Sequence, residues 1–415
     1  MKSVIVIFTF LITALQVYAQ KNCGTSGYWQ EQLSANPLLR ERYERINNTA
    51  NNIVKKESGF AVSDMTIIIP VVVHVLYNTE NQRISKAQIQ TQIDALNNDF
   101  GKLNADTINI PKPFAPLAAD CKIQFALARV DPEGYATTGI VYKKTNETSW
   151  KQDDKMKFSS SGGDDAWDSR YYLNIWVCNL SKSLLGYATF PGSDLLKDGV
   201  VIRTDIFGTM GNESSAYSRG RTTTHEVGHW LNLKHLWGDT DCGDDGVDDT
   251  PQQKTYNTGC SSFPKITAGS CNTGNNGDMF MNYMDFSDDA CMLMFTYGQK
   301  QRMRRLFDED GARATILQSY ALGEAWKAKP AEEDSATTAT GIAIYPNPSV
   351  NEIYFRDSQG KTITPDEYRI YDVKGKLLIY GYKHTLVNIS KLATGIYFTR
   401  IQYAGGQRVI KFVKQ

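Results

Sequence analysis

Three of the chain's five histidines fall within eleven residues: His225, His229 and His235, in the run His-Glu-Val-Gly-His-Trp-Leu-Asn-Leu-Lys-His. Residues four apart on an α-helix share a face, about 6 Å apart along the axis, so His225 and His229 can converge on one ion. Glu226 stands beside them, where a carboxylate can hold a water and take its proton. A tetrahedral catalytic zinc needs three protein ligands and one open position. His235 supplies the third nitrogen if the chain turns sharply after Leu231. Asn232 stands at that turn, and after Gly, Asn is the residue best able to adopt a left-handed conformation. The chemistry implied is hydrolysis assisted by one zinc ion, with Glu226 as general base. The competing reading is a helix that happens to carry two core histidines. A third histidine at this spacing argues against it.

The motif has the form HExxHxxGxxH with Asn232 in the Gly position, and the flanking text extends it. Asp239, Cys242-Gly243-Asp244-Asp245, Asp249-Thr250-Pro251 and Asn282-Tyr283-Met284-Asp285 follow in order. Over about residues 65–310 the chain resembles the pappalysin family of metzincin zinc peptidases, in particular its cytophagalysin and ulilysin-like members. The resemblance implies a zinc endopeptidase in which Met284 forms a Met-turn, a polarizable floor beneath the three imidazoles that does not ligate. It implies that Cys23, just after the leader, ligates zinc in a latent form, since a thiolate is a good zinc ligand. An unpaired or intermolecular cysteine is the alternative. By the same resemblance Asp289 lies at the base of the S1′ pocket, where a buried carboxylate selects Arg, then Lys, after the scissile bond. Phe286 stands where relatives commonly carry a Tyr near the zinc, so no tyrosine role is carried over.

Seven cysteines leave at least one thiol unpaired. Cys242, Cys260, Cys271 and Cys291 cluster after the zinc motif, and sequence alone allows three pairings. The resemblance favours Cys242–Cys271 and Cys260–Cys291. Cys121 and Cys178 sit in apolar runs and are expected as buried free thiols. Asp239, Asp241, Asp244, Asp245, Asp248 and Asp249 crowd a glycine-rich stretch, where hard oxygen ligands suit calcium, although a solvated acidic loop is common. The family's structural calcium sites fall here. Asp245 and Asp249 are the side-chain candidates, with carbonyls such as those of Val247 and Thr250.

Positioning these groups needs a framework. Thr66 to Tyr77 is a β-branched run typical of a buried strand. Ile89, Ile93, Leu96 and Phe100 then recur as the stripe of a helix packed on a sheet. Cys121–Val130, Tyr171–Cys178 and Val200–Arg203 read as further strands, and the zinc helix spans about Arg219–Leu231. The pattern predicts an α+β fold: an α/β-like mixed sheet backed by two helices, one carrying the zinc site, of metzincin type. An extended peptide would pair with a sheet edge, for which Gly199 to Arg203 is the candidate. His74, inside an apolar strand, is expected as a satisfied core residue rather than a fourth ligand.

Over the full 415 residues, 45 basic and 45 acidic side chains balance, which gives no electrostatic case for nucleic acid or an anionic membrane as partner. Residues 1–19 read as a signal peptide, with Lys2, an apolar run and Val17-Tyr18-Ala19 before the cut. Residues 20–64 are polar and helix-prone and read as an inhibitory pro-segment; 65–322 form the catalytic domain, and 323–340 lack apolar periodicity and read as a linker. Residues 341–415 are strand-rich with short turns, the signature of a small all-β sandwich. Tyr345-Pro346-Asn347-Pro348, Tyr371-Asp372-Val373-Lys374-Gly375 and Gly395-Ile396-Tyr397 in it resemble the sorting domain of the type IX secretion system. That resemblance implies the secretion machinery as a partner, export through the periplasm and outer membrane, and a secreted or cell-surface product without a membrane span. Protein or peptide substrates follow from the zinc site. The rival readings are an inactive, adhesive relative and a zinc hydrolase acting on a non-peptide bond.

Overall fold

The computed structural model describes residues 23–54, 65–181, 184–211, 216–272, 274–327, 342–357, 360–373, 376–403 and 406–415. The signal peptide, the ends of the expected pro-segment (20–22 and 55–64) and residues 328–340 of the expected linker lie outside them. Two compact units form, one of residues up to 129 plus 137–322, the other of 130–136 plus 323–415.

The first unit opens with helices α1 (Thr25–Ala35) and α2 (Pro37–Val54). Pro37 begins α2, where its missing N–H costs nothing, and Asn36 Oδ1 accepts the Leu39 N–H at 3.1 Å. The sheet comprises β1 (Ile67–Tyr77), β2 (Ile123–Leu127), β3 (Ile140–Lys144), β4 (Leu173–Cys178), β5 (Gly186–Ala188) and β6 (Val200–Arg203). Its order is β2-β1-β4-β6-β5, with β3 continuing alongside β1. Every pairing is parallel except β5 with β6. β1 is apolar on both faces because both are covered, as in parallel sheets generally. On one face lies α3 (Lys86–Phe100), capped by Ser85, with Ile89, Ile93, Leu96 and Phe100 all buried. α4 (Arg221–Trp230) shares that core, and α5 (Tyr297–Arg304) starts from a capping box of Thr296 and Gln299. Trp176, Met156 and Tyr187 pack on the other face.

The sheet corrects one expectation. β6, the candidate for the substrate-pairing edge, is an interior strand between β4 and β5. The edge on that side is β5, whose Gly-Tyr-Ala is too short to show any period. His74, on β1, is a core residue: Nδ1 lies 2.6 Å from Asp164, Nε2 3.0 Å from Asn174, and its ring stacks on Trp176.

The second unit is a sandwich of antiparallel sheets. One holds β10 (Glu367–Tyr371), β11 (Leu377–Tyr382), β13 (Gly395–Tyr403) and β14 (Gly406–Lys414) in the order β11-β10-β13-β14. The other holds β7 (Ala343–Tyr345), β8 (Glu352–Arg356), β9 (Thr362–Ile363) and β12 (Leu386–Asn388). Ile353, Phe355, Ile370, Ile401 and Phe412 are fully buried within it. Among the described residues no helix is long and apolar enough to cross a membrane.

Candidate active site

α4 is buried along its whole length, with His225 and His229 one turn apart on one face. The helix ends where Asn232 takes φ +72°, the left-handed conformation its side chain tolerates. That turn brings His235 back to the other two rings. It also aims the Leu233 carbonyl at His229, whose Nδ1 lies 2.7 Å away. Nδ1 of His225 lies 2.7 Å from the Tyr283 carbonyl, and Nδ1 of His235 lies 2.5 Å from Asp239 Oδ1 and 3.1 Å from Ser26 Oγ. A carbonyl only accepts, so His225 and His229 carry their protons on Nδ1 and point the Nε2 lone pairs inward. The three Nε2 atoms stand 3.0–3.2 Å apart, and Cys23 Sγ is 3.5 Å from His229 Nε2. All four ligand atoms lie within 4.8 Å of one another. Lone pairs so close repel unless a cation lies between them. Tetrahedral zinc bonds of about 2.0 Å to nitrogen and 2.3 Å to sulfur put neighbouring ligand atoms about 3.3–3.6 Å apart, so the group fits zinc.

Glu226, the next residue on α4, accepts the Thr25 hydroxyl through Oε2 at 2.7 Å. Burial first, then the Glu226 carboxylate, push the Cys23 thiol well above its usual range, a bias that a metal cation beside the sulfur would reverse. Burial also acts to raise Asp239, but its contacts with His235 and Ser26 outweigh it and hold Asp239 below the usual carboxylate range.

Met284 is buried under α4, and Gly228 makes room for it: a Cβ there would lie 2.5 Å from Met284 Sδ. Asp285 anchors this turn by accepting the Asn257 N–H at 2.7 Å, Asn257 Nδ2 at 2.8 Å and Gln253 Nε2 at 3.0 Å. Phe286 fills the space beside the metal group, its ring centroid 5.7 Å from His225, 4.9 Å from His235, 4.9 Å from Trp237 and 5.2 Å from Tyr256.

Asp289 is buried at the start of α4, where its Oδ2 accepts the N–H groups of Arg219 at 2.9 Å and Arg221 at 3.1 Å. Arg221 grips Asp106 with both Nη atoms, at 2.7 and 2.8 Å, and donates to the Asp289 carbonyl at 2.7 Å. Behind it Asp99 accepts from Tyr283 and Thr224, both at 2.8 Å. Burial pushes the Asp99 carboxyl up to about 6, against the pull of Arg221. Asp99, Asp106 and Arg221 escaped the sequence reading because no spacing links residues on separate elements.

In the acidic loop the four calcium candidates are near one another in sequence but serve different partners. Asp245 accepts the Val247 N–H at 3.0 Å and the Thr250 hydroxyl at 2.8 Å, and burial raises its carboxyl to about 7. Asp249 instead caps α5, accepting from Thr296 Oγ1 at 2.6 Å and Gly298 N at 2.8 Å. Disulfides join Cys242 to Cys271 and Cys260 to Cys291, across Cα separations of 5.8 and 5.5 Å, while Cys23, Cys121 and Cys178 are buried and free.

The N-terminal segment lies over this site. Gly24 N donates to the Gly186 carbonyl at 2.9 Å, and Thr25 Oγ1 accepts from Ala188 N at 2.9 Å, both on the edge strand β5. Ser26 donates to Asp239 at 2.6 Å. Trp29, Leu33, Leu39 and Tyr43 cluster on Phe190, whose ring is 5.5 Å from that of His229.

A fold and site of this kind define a metalloendopeptidase of the metzincin class. Residues 158–308 match the peptidase family M43 model, described as pregnancy-associated plasma protein-A, and residues 343–415 match the secretion system C-terminal sorting domain. An extracellular metalloprotease of Arthroderma benhamiae is 31% identical over 277 residues, 63% of this chain and 85% of the relative. One from Colletotrichum graminicola is 30% identical over 311 residues, 71% and 92% respectively. Among solved structures, mature mirolysin of Tannerella forsythia with a cleaved peptide is 51% identical, covering 63% of this chain and 98% of that one, with a TM-score of 0.60. A promirolysin mutant from the same organism is 46% identical, covering 74% and 99%, with a TM-score of 0.67. The chain belongs to the pappalysin family, M43, and residues 343–415 are a type IX sorting domain, so the protein is exported to the cell surface or beyond.

Proposed function

We propose that the chain is a latent zinc endopeptidase in which His225, His229 and His235 hold one catalytic zinc and Cys23 takes the fourth position. The observation that carries this reading is the convergence of four ligand atoms, one from the N-terminal segment, within 4.8 Å. Zinc bound there supplies a Lewis acid for the peptide carbonyl and brings a water's acidity towards neutrality. The protein does the rest. Tyr283 O, Leu233 O and Asp239 fix the three imidazoles in one tautomer and orientation. Glu226, buried beside them, takes the proton of the attacking water and returns it to the leaving amine. In the latent chain Thr25 holds Glu226 and Cys23 holds the water's place. Catalysis therefore requires residues 20–64 to leave as a pro-segment, which exposes β5 to an extended substrate.

Asp289 sets the preference for Arg, then Lys, at P1′; its burial beside the first turn of α4 supports this. Calcium stabilises the acidic loop through Asp245 and Asp249 with the carbonyls of Val247 and Thr250, a reading supported by the buried carboxyl of Asp245. The signal peptide (1–19), catalytic domain (65–322) and linker (323–340) complete the organisation, and the sorting domain (341–415) meets the type IX secretion machinery. Casein hydrolysis after limited proteolysis tests the core of it: a chelator and Glu226→Ala should each abolish it, and survival of either treatment defeats the proposal. Sequencing the released peptides tests Asp289, because Asp289→Asn should erase the basic preference after the cut.

A further inference from the structure

On the sheet face opposite α4 lies a second buried polar group that the hydrolytic chemistry leaves unused. Asp154 and Lys157 pair there, with Lys157 Nζ 3.0 Å from Asp154 Oδ1 and donating to the Lys197 carbonyl at 2.8 Å. Aromatic walls surround the ammonium, which stands 5.3 Å from the Trp176 ring and 5.0 Å from that of Tyr187. The Tyr187 hydroxyl donates to Asp154 Oδ1 at 3.0 Å. Lys197 Nζ stands 3.5 Å from Asp154 Oδ2, and one further group comes from the N-terminal segment. Tyr28 of α1 donates its hydroxyl to Asp154 Oδ2 at 2.8 Å, and its ring packs 5.0 Å from Tyr187 and 5.7 Å from the Lys157 ammonium. Burial acts to raise Asp154, but Lys157 outweighs it and keeps the carboxyl below its usual range, an ionised acceptor aimed at a phenol.

The position of this pocket matters as much as its chemistry. Tyr187 is the middle residue of β5, and its neighbours Gly186 and Ala188 hold Gly24 and Thr25. Side chains alternate faces along a strand, so Tyr187, next to the backbone-pairing Gly186, aims at the pocket on the far face. A peptide extended along β5 advances about 3.3 Å per residue, which brings a side chain within a few residues of the scissile bond to the pocket mouth. Once α1 departs, Asp154 Oδ2 loses the Tyr28 hydroxyl, while Lys157, Trp176 and Tyr187, whose own hydroxyl stays on Oδ1, remain with the catalytic unit. An aromatic ring carrying a hydrogen-bond donor restores both contacts, and phenylalanine restores only one.

We propose that the Asp154–Lys157–Trp176–Tyr187 pocket, filled by Tyr28 in the latent chain, is a tyrosine-selective substrate subsite of the activated enzyme. This rests on the reading of residues 20–64 as a removable segment and of the histidine site as the peptidase centre.

The test takes a peptide that the activated chain cleaves and places Tyr, Phe or Ala in turn at each of three positions on either side of the cut. At one position Tyr should exceed Phe about tenfold in kcat/KM, as expected for a lost hydrogen bond to a charged group. In Asp154→Asn that ratio should fall towards one. Because Asp154→Asn leaves Lys157 without its counter-charge and could impair folding, a second measurement uses the unaltered activated enzyme. N-acetyl-tyrosinamide should inhibit at about tenfold lower concentration than N-acetyl-phenylalaninamide. Equal cleavage of Tyr and Phe peptides at every position, equal inhibition by the two amides, or a Tyr preference that survives in folded Asp154→Asn overturns the subsite. If no peptide is cleaved at all, the endopeptidase reading fails instead, and calorimetric binding of the two amides still decides the subsite.

Discussion

Gly228→Ala tests whether Met284 supports the metal group. A Cβ at Gly228 would stand 2.5 Å from Met284 Sδ, 3.4 Å from its Cε and 3.7 Å from Leu233 Cδ1. On an exposed helix the change would stabilise by about 1 kcal/mol. Here the methyl must push a fully buried thioether aside, and overpacking costs about 1–3 kcal/mol, leaving a net loss of up to about 2 kcal/mol. In a unit of this size that lowers Tm by a few degrees, about 2–4 °C per kcal/mol. The movement is transmitted to His229, the next residue on the helix, so zinc affinity falls as well. The assay is calorimetric melting with and without zinc, joined to a competition titration with a chromogenic chelator. A double-mutant cycle isolates the contact. Met284→Ala alone opens a cavity costing about 2–5 kcal/mol. The methyl introduced by Gly228→Ala would partly fill it, so the double variant should cost less than the sum by at least about 0.5 kcal/mol. If Gly228→Ala is stabilising, zinc affinity is unchanged and the two substitutions add, the floor plays no part in holding the ligands.

Cys23→Ser should leave the full-length chain without peptidase activity until residues 20–64 are removed, because Thr25 still holds Glu226 and the segment still covers β5, but it should shorten the lag before activity appears under limited proteolysis; activity of unprocessed Cys23→Ser would show that the thiolate alone enforces latency. Asp245, with its carboxyl held at about 7 when folded, binds its proton more tightly folded than unfolded. Its contribution to stability is therefore full below about pH 4 and lost as pH rises through about 7. With calcium chelated, Asp245→Asn should flatten the fall in urea midpoint between about pH 4.5 and about pH 8. Arg221→Met should cost about 3–5 kcal/mol, because Asp106 and Asp99 stay behind with less counter-charge, and should blur P1′ selection by freeing the Asp289 carbonyl; melting and peptide mapping together check both.

The helix α4 and the convergence of His225, His229 and His235 were legible because 3.6-residue periodicity and ligand chemistry constrain the same few positions. β1, α3 and β4 were legible from long apolar patterns, although the predicted strand at Cys121–Val130 shortens to Ile123–Leu127. β5 was not, since three residues carry no period and its edge position depends on pairing with β6. β3, with four of its five residues half-buried and the last exposed, likewise lacked the apolar signal of its neighbours. The Cys23 proposal came from family resemblance, whereas Thr25 on Glu226 and Ser26 on Asp239 could come only from folded contacts between residues some two hundred positions apart. Tyr28 was hidden for the same reason.

The N-terminal helices reach the catalytic unit by aromatic packing, by β5 and by Arg302, which donates to Asn47 at 2.5 Å. While the chain is intact these contacts are intramolecular, and the segment sits at an effective concentration in the millimolar range for a short tether. A single cut between α2 and β1 turns the same surface into a bimolecular interface governed by mass action. The released segment would still compete where protein is crowded and be lost on dilution. Activation would then be completed by the volume into which the enzyme is released: the cut would arm the peptidase, and leaving the cell envelope would switch it on.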